Sequence, residues 1–263
     1  MKNTFNQTNT IRHVPAYFEQ HVVFTIHEEK LNDYGKICTK EITREVLIDY
    51  IGLIDGLHKY QICCSDCNIN SDRWPIITND LFCELDIIFA LLAVSADAEG
   101  NLVELHNFPY LQQEWAEMKE QLLIEYDERG VERWARILKM DALMQDYHTV
   151  LSYLKSPAMY GLFFNGYWQE KDSQTVQYGD ELNHMIFKED IEGFIKETET
   201  QQLVTIEVTG KAVEMNEQTA MYTGSCTFIN GALDQCYKKI MLDNTQFNFS
   251  ARWIGLKQRF QQY

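Results

Sequence analysis

Proline is scarce in this chain, with four in 263 residues, and glycine stands at thirteen. No Pro/Gly-rich linker therefore marks a domain boundary, and low-complexity architectures are excluded. Long apolar runs are missing as well. The longest, Ile87 to Val94, falls far short of the roughly 20 residues that a spanning helix needs. Basic side chains are outnumbered, 23 against 39 acidic, for a formal net charge of −16. A field of that sign repels phosphate backbones and anionic lipid, so neither nucleic acid nor membrane insertion is expected. It leaves room for a protein partner, one of basic character if charge recruits it.

The familiar signatures of catalysis are absent too. No Gly-x-Ser-x-Gly elbow, His-Glu-x-x-His pair, calcium loop or phosphate-cradling glycine loop occurs. The first ten residues are polar, with Lys2 their only base and no apolar stretch behind it, so no signal peptide is expected. Seven cysteines, an odd number, read as reduced thiols rather than a disulfide framework. A cytoplasmic protein without a cofactor is the expectation, more readily a non-enzyme than an enzyme.

Against these absences stands a chain 45% apolar and 13% aromatic, rich enough for a sizeable core. Val22, Phe24 and Ile26 alternate within His21–His27, the period of a half-buried strand. Glu45 to Ile54 reads as a strand into Asp55-Gly56, a preferred hairpin turn, with Lys59 to Cys64 returning. A helix over 41–54 competes on spacing, and the Asp-Gly turn decides for strands. A helix capped by Asn79 or Asp80 is expected to run through Phe89. Leu92–Ala96 and Leu102–His106 read as a second hairpin around 97–100.

Pro109 suits the first turn of a helix, and Leu111, Trp115, Met118, Leu122 and Tyr126 follow at helical spacing. After Arg129-Gly130, a second stripe begins with Val131, Trp134, Leu138 and Ala142 and runs toward Leu154, ahead of Ser156-Pro157. Residues 170–199 carry nine acids and three bases and read mostly as loop, with a short strand near His184 to Phe187. A C-terminal meander is expected from Leu203 to Val208, a turn at Thr209-Gly210-Lys211, Ala220 to Ile229, a turn at Asn230-Gly231, and Gln246 to Ile254. The expected fold is α+β: antiparallel hairpins and a C-terminal meander packed on a central pair of long amphipathic helices, the sheet curved and partly open. One domain is expected over 1–263, with a flexible start (1–12), hairpins (13–108), the helical pair (109–155), an aromatic segment and meander (156–254), and a basic tail (255–263).

Two constellations could carry function. Cys64 and Cys67 form a Cys-x-x-Cys pair, with His58 upstream and Cys83 downstream. Two thiolates at this spacing can share a zinc ion, but a complete second ligand pair is missing. Tyr160, Phe163, Phe164, Tyr167 and Trp168 form a dense aromatic stretch. It either lines a ligand or partner surface or fills the join between helices and sheet. The reading these features favour is a non-catalytic, acidic protein-binding module of the immunity-protein, effector-chaperone or assembly-adaptor kind. The alternatives are an intracellular carrier of an apolar ligand and a metal-assisted hydrolase using the Cys63–Cys67 region.

Overall fold

The computed structural model describes residues 19–32, 34–72, 88–125, 131–178, 185–198, 200–213, 220–242 and 244–255. Eleven antiparallel strands form one sheet: β1 (Gln20–Leu31), β2 (Ile37–Ile54), β3 (Leu57–Ser71), β4 (Leu91–Ala96), β5 (Leu102–Leu105), β6 (Ser173–Gln177), β7 (Ile186–Glu197), β8 (Gln202–Ala212), β9 (Met221–Ile229), β10 (Ala232–Leu242) and β11 (Thr245–Trp253). Their order is β5-β4-β3-β2-β1-β11-β10-β9-β8-β7-β6. Two meanders therefore meet where β1 pairs with β11, Val22 opposite Trp253 and Ile26 opposite Phe249. Between β5 and β6 lie three helices, α1 (Phe108–Glu125), α2 (Val131–Gln145) and α3 (Tyr147–Leu154), and then an irregular aromatic stretch.

This overturns the expectation of a sheet laid on two long helices. The helices are an insertion between the two halves of a single large sheet, and the sheet dominates the molecule. Pattern reading found two of the hairpin turns correctly. Asp55-Gly56 and Asn230-Gly231 both take positive φ at each residue, as two-residue hairpin turns require. It missed the length of the ladders. Residues 170–199, read as mostly loop, contain β6 and the twelve-residue β7. Lys188, Asp190 and Glu192 point outward there while Phe187 and Glu189 point inward. A buried glutamate breaks the apolar alternation by which a strand is recognised. The turn expected at Thr209-Gly210-Lys211 does not exist, since β8 runs straight through it. The cap expected at Asn79 or Asp80 lies outside the described residues, and residues 88–90 form a turn.

The second helical stripe also differs. Ile137, Met140 and Met144 are buried, whereas Trp134 is 53% and Leu138 60% exposed. The rotation of α2 is fixed by Asp141, which accepts from Trp115 Nε1 at 2.8 Å and from Lys119 Nζ at 2.6 Å on α1. Asp146 then caps α3 through the Thr149 N–H, so the stripe toward Leu154 breaks into two helices.

The sheet is rolled. Laid flat, eleven strands at about 4.8 Å spacing would hold β5 and β6 nearly 50 Å apart. Yet Asn165 forms a bridge with Asn101 beside β5, and its carbonyl accepts from Gln174 Nε2 on β6. Lys171 closes the same seam by pairing with Glu99 at 2.9 Å. The segment 158–168 lies inside the roll. Ala158 O accepts from Arg44 on β2, Tyr160 meets Phe24 edge to face, and Phe163, Phe164 and Trp168 surround Tyr60.

Trp168 is held against the β4–β5 turn. A Cβ at Gly100 would stand 2.3 Å from its indole ring, and Gly100 has φ +89°. Gly100→Ala is expected to lower stability by about 1–3 kcal/mol through overpacking and backbone strain together. Urea denaturation checks this, and an unchanged midpoint would contradict close packing of Trp168 on Gly100.

Candidate functional site: a buried lysine–glutamate pair

Three of the described residues with charged side chains are buried, Arg44, Glu189 and Lys238, and two of them meet. Lys238 on β10 and Glu189 on β7 lie on the inner face, 4% and 0% exposed at the side chain, with Nζ 2.9 Å from Oε1. Two strands separate them, and the residues between explain how they reach each other. Glu189 is opposite Gly210 on β8, and Gly210 is opposite Tyr222 on β9. Gly224 on β9 is opposite Lys238. A Cβ at Gly210 would fall 2.1 Å from the Tyr222 ring, and one at Gly224 would fall 3.0 Å from Lys238 Cγ. The glycine read from sequence as a turn is thus the clearance that lets the charges converge.

The pair is closed on every side. Glu189 Oε2 accepts from Tyr167 OH at 2.8 Å and from Gln174 Nε2, while Oε1 accepts from Tyr222 OH and Lys238. Lys238 also donates to Tyr178 OH at 3.0 Å, and its Nζ sits 5.2–5.6 Å from the ring centroids of Tyr167, Tyr178 and Tyr222. That placement adds cation–π attraction to the ion pair. Phe187 packs against Tyr178 and Tyr222 and keeps the cluster dry.

Burial alone would raise the Glu189 pKa, but the Lys238 ammonium and the Tyr222 and Gln174 donors more than offset it, so the carboxyl titrates below its usual range. Burial alone would lower Lys238, and the Glu189 carboxylate with the surrounding tyrosines holds it well above the usual lysine range. Burial pushes all three tyrosines upward, so they stay neutral donors. At neutral pH the site is therefore a fixed ion pair with its acceptor positions filled. A general base needs a free lone pair and a pKa near the working pH, and a lysine nucleophile must shed its proton. This arrangement supplies neither.

Of the residues singled out from sequence, Tyr167 belongs to this cluster. Tyr160, Phe163, Phe164, Tyr167 and Trp168 are all buried inside the roll, at 1–4% exposure, and so present no outward patch. His58, Cys64 and Cys67 all lie on β3, and His58 is about 20 Å along the strand from Cys64. The His58 ring contacts Tyr50 OH at 3.2 Å, and Cys64 Sγ donates to Asp66 O at 3.4 Å. Cys64 and Cys67 occupy a bulged stretch of strand, with Val46 opposite Cys64 and Glu45 opposite Asp66. Cys83 lies outside the described residues. Among the described residues no group of three or more His, Cys, Asp or Glu side chains is placed to hold a metal ion. Cys226 and Cys236, expected as free thiols, face each other across β9 and β10 and are joined as a disulfide. No helix among the described residues is long and apolar enough to cross a membrane.

Sequence reading missed Lys238, Glu189, Gln174, Tyr178 and Tyr222. The available signal was parity: Lys238 falls between Cys236 and Ile240 on the inward side of β10, as Glu189 follows Phe187 on β7. The chain matches no protein-family model and no curated protein.

Linkage gives this cluster a pH signature. A carboxyl held low in the folded state adds stability above its unfolded pKa and loses it as pH falls through the folded value. Melting temperature should therefore drop as pH falls below about 4.5, the ordinary glutamate value. Glu189→Gln, less stable at pH 7, should show a flatter acid limb. Parallel acid limbs in the two proteins would contradict the ionised pair. Lys238 contributes in the opposite sense, its share lost only above the ordinary lysine value of 10.5.

Proposed function

We propose that this protein is a non-catalytic binding module that recognises a basic, amphipathic segment of another protein on the outer face of its helical hairpin. The observation that carries the reading is the exposure of Trp134 and Leu138 one turn apart on α2, both more than half exposed. Trp is a residue type that dominates binding energy at interfaces, and an exposed Trp–Leu pair is an anchor for the apolar side of a helix. Leu123 on α1 adds to the exposed apolar surface of the hairpin, and Ala135 and Ala142 continue the α2 face.

The surrounding charge supplies the chemistry of the partner. α1 exposes Glu117 and Glu120, and its one lysine, Lys119, is already paired with Asp141. Lys139 is an exposed base on α2, and the α1 carboxylates would complement lysine and arginine on the polar side of an incoming helix. The closed state of the Lys238–Glu189 pair and the filling of the roll by Tyr160, Phe163, Phe164 and Trp168 support binding at the surface over chemistry in the interior. One interior feature favours a carrier instead: the Tyr60 hydroxyl is buried without a hydrogen-bond partner among the described residues, beside Phe163, Phe164 and Trp168.

Native mass spectrometry of protein purified gently from its own host separates the two. A basic protein should co-purify with the wild type and be lost from a Trp134→Glu/Leu138→Glu variant. A partner retained by the variant would overturn the hairpin as the binding face. An apolar adduct of small mass on an otherwise bare chain would replace this reading with the carrier.

A further inference from the structure

We infer that the outer face of β7 and β8 is a two-fold contact between two copies of this chain. The face carries a charge pattern that its own chain leaves unresolved. Lys188 on β7 lies directly opposite Lys211 on β8, and Glu192 lies directly opposite Glu207. All four are exposed. Like charges placed directly across a ladder destabilise it, and here two such pairs of opposite sign share one face. Among the described residues none of the four has an ion-pair partner. Four residues along a strand place the lysine pair about 13 Å from the glutamate pair.

Midway between them is the Asp190–Thr209 row. Beyond the lysines, Val213 donates its N–H to Ile186 O, and the two side chains are 44% and 41% exposed. Beyond the glutamates, Phe194 is opposite Thr205, both half-buried. From one end the face thus reads apolar, basic, midpoint, acidic, apolar. That order is antisymmetric in charge about its centre.

An antisymmetric pattern complements itself. A two-fold axis lying between two such faces and crossing the strands at the Asp190–Thr209 row reverses strand direction in the second copy. It lays the lysine pair of each copy over the glutamate pair of the other, and Ile186 with Val213 over Phe194 with Thr205. Both like-charge pairs then gain opposite charges, and the exposed Ile186 and Val213 are covered by the half-buried Phe194 and Thr205. Asp190 lies on the axis opposite its own copy, flanked by lysines from both. An axis running along the strands would instead put lysines on lysines, so charge selects a single orientation. A contact of this kind is isologous, the commonest form of closed dimer. It lies on the sheet and leaves the helical hairpin free, so it stands or falls independently of the proposed function.

Charge exchange tests it in the full chain. Variant one is Lys188→Glu/Lys211→Glu, and variant two is Glu192→Lys/Glu207→Lys. All four positions are exposed, and circular dichroism verifies that each variant folds. Sedimentation equilibrium up to about 100 μM, where a dimer of micromolar Kd is populated, gives the oligomeric state. The wild type should be dimeric, and each variant alone should dimerise at least about tenfold more weakly because like faces like across the axis. The equimolar mixture should regain the wild-type dimer, since each face of variant one is then met by its complement in variant two. Both variants remain strongly acidic, so net charge alone would keep them apart. A monomeric wild type overturns the contact, variants that dimerise normally overturn this face, and a mixture that stays monomeric overturns the charge complementarity on which the contact rests.

Discussion

The ion pair between Lys238 and Glu189 is the constraint on which the rest of this structure depends. Removing two charges from water costs several kcal/mol each, and only a complete set of partners offsets that cost. Those partners come from separate parts of the chain: Gln174 from β6, Glu189 from β7, Tyr222 from β9, Lys238 from β10, Tyr178 from the end of β6 and Tyr167 from the aromatic stretch. Satisfying the pair therefore brings the second half of the sheet and the inserted segment to one place. A burial term without direction would accept many arrangements of apolar strands. The charge network accepts few.

The aromatic stretch links that network to the other half of the molecule. Tyr167 binds Glu189, while Trp168, one residue on, packs beside Tyr60 of β3 and over Gly100 of the β4–β5 turn. Tyr160 reaches Phe24 of β1, and Ala158 is held by Arg44 of β2. A sheet of eleven strands rolled around a segment of its own chain fills its interior with side chains and brings its two edge strands to a common seam. This is how a chain with so few prolines and glycines makes a closed shape: the curvature comes from what the sheet wraps around.

Local features of the fold were legible where one residue type has one physical use. Asp55-Gly56 and Asn230-Gly231 mark hairpins because their positive φ is demanded by the turn, and Pro109 sits in the first turn of its helix. Long-range features were not. Whether helices or sheet dominate depends on pairings such as Val22 with Trp253, separated by most of the chain. The apolar stripe on α2 was assigned to Trp134 and Leu138 because spacing alone cannot choose between two overlapping stripes. The choice was made by Asp141 binding Trp115 and Lys119. The site itself was hidden because its residues look like errors in strand patterns, a lysine and a glutamate at inward positions and a glycine resembling a turn. The five aromatic residues were visible as a group, and their burial followed from what they are wrapped in.

The central claim is that Lys238 and Glu189 are worth their burial only as a pair, and a double-mutant cycle in urea measures this directly. Lys238→Met leaves a buried carboxylate without its cation and should cost about 3–5 kcal/mol. Glu189→Gln should be costly for the converse reason. The double variant should lose far less than the sum of the two, with a coupling of at least about 2 kcal/mol, well beyond the few tenths expected for independent sites. Additive losses would mean that the two charges do not depend on each other, and the account of the fold as organised around their pairing would be wrong.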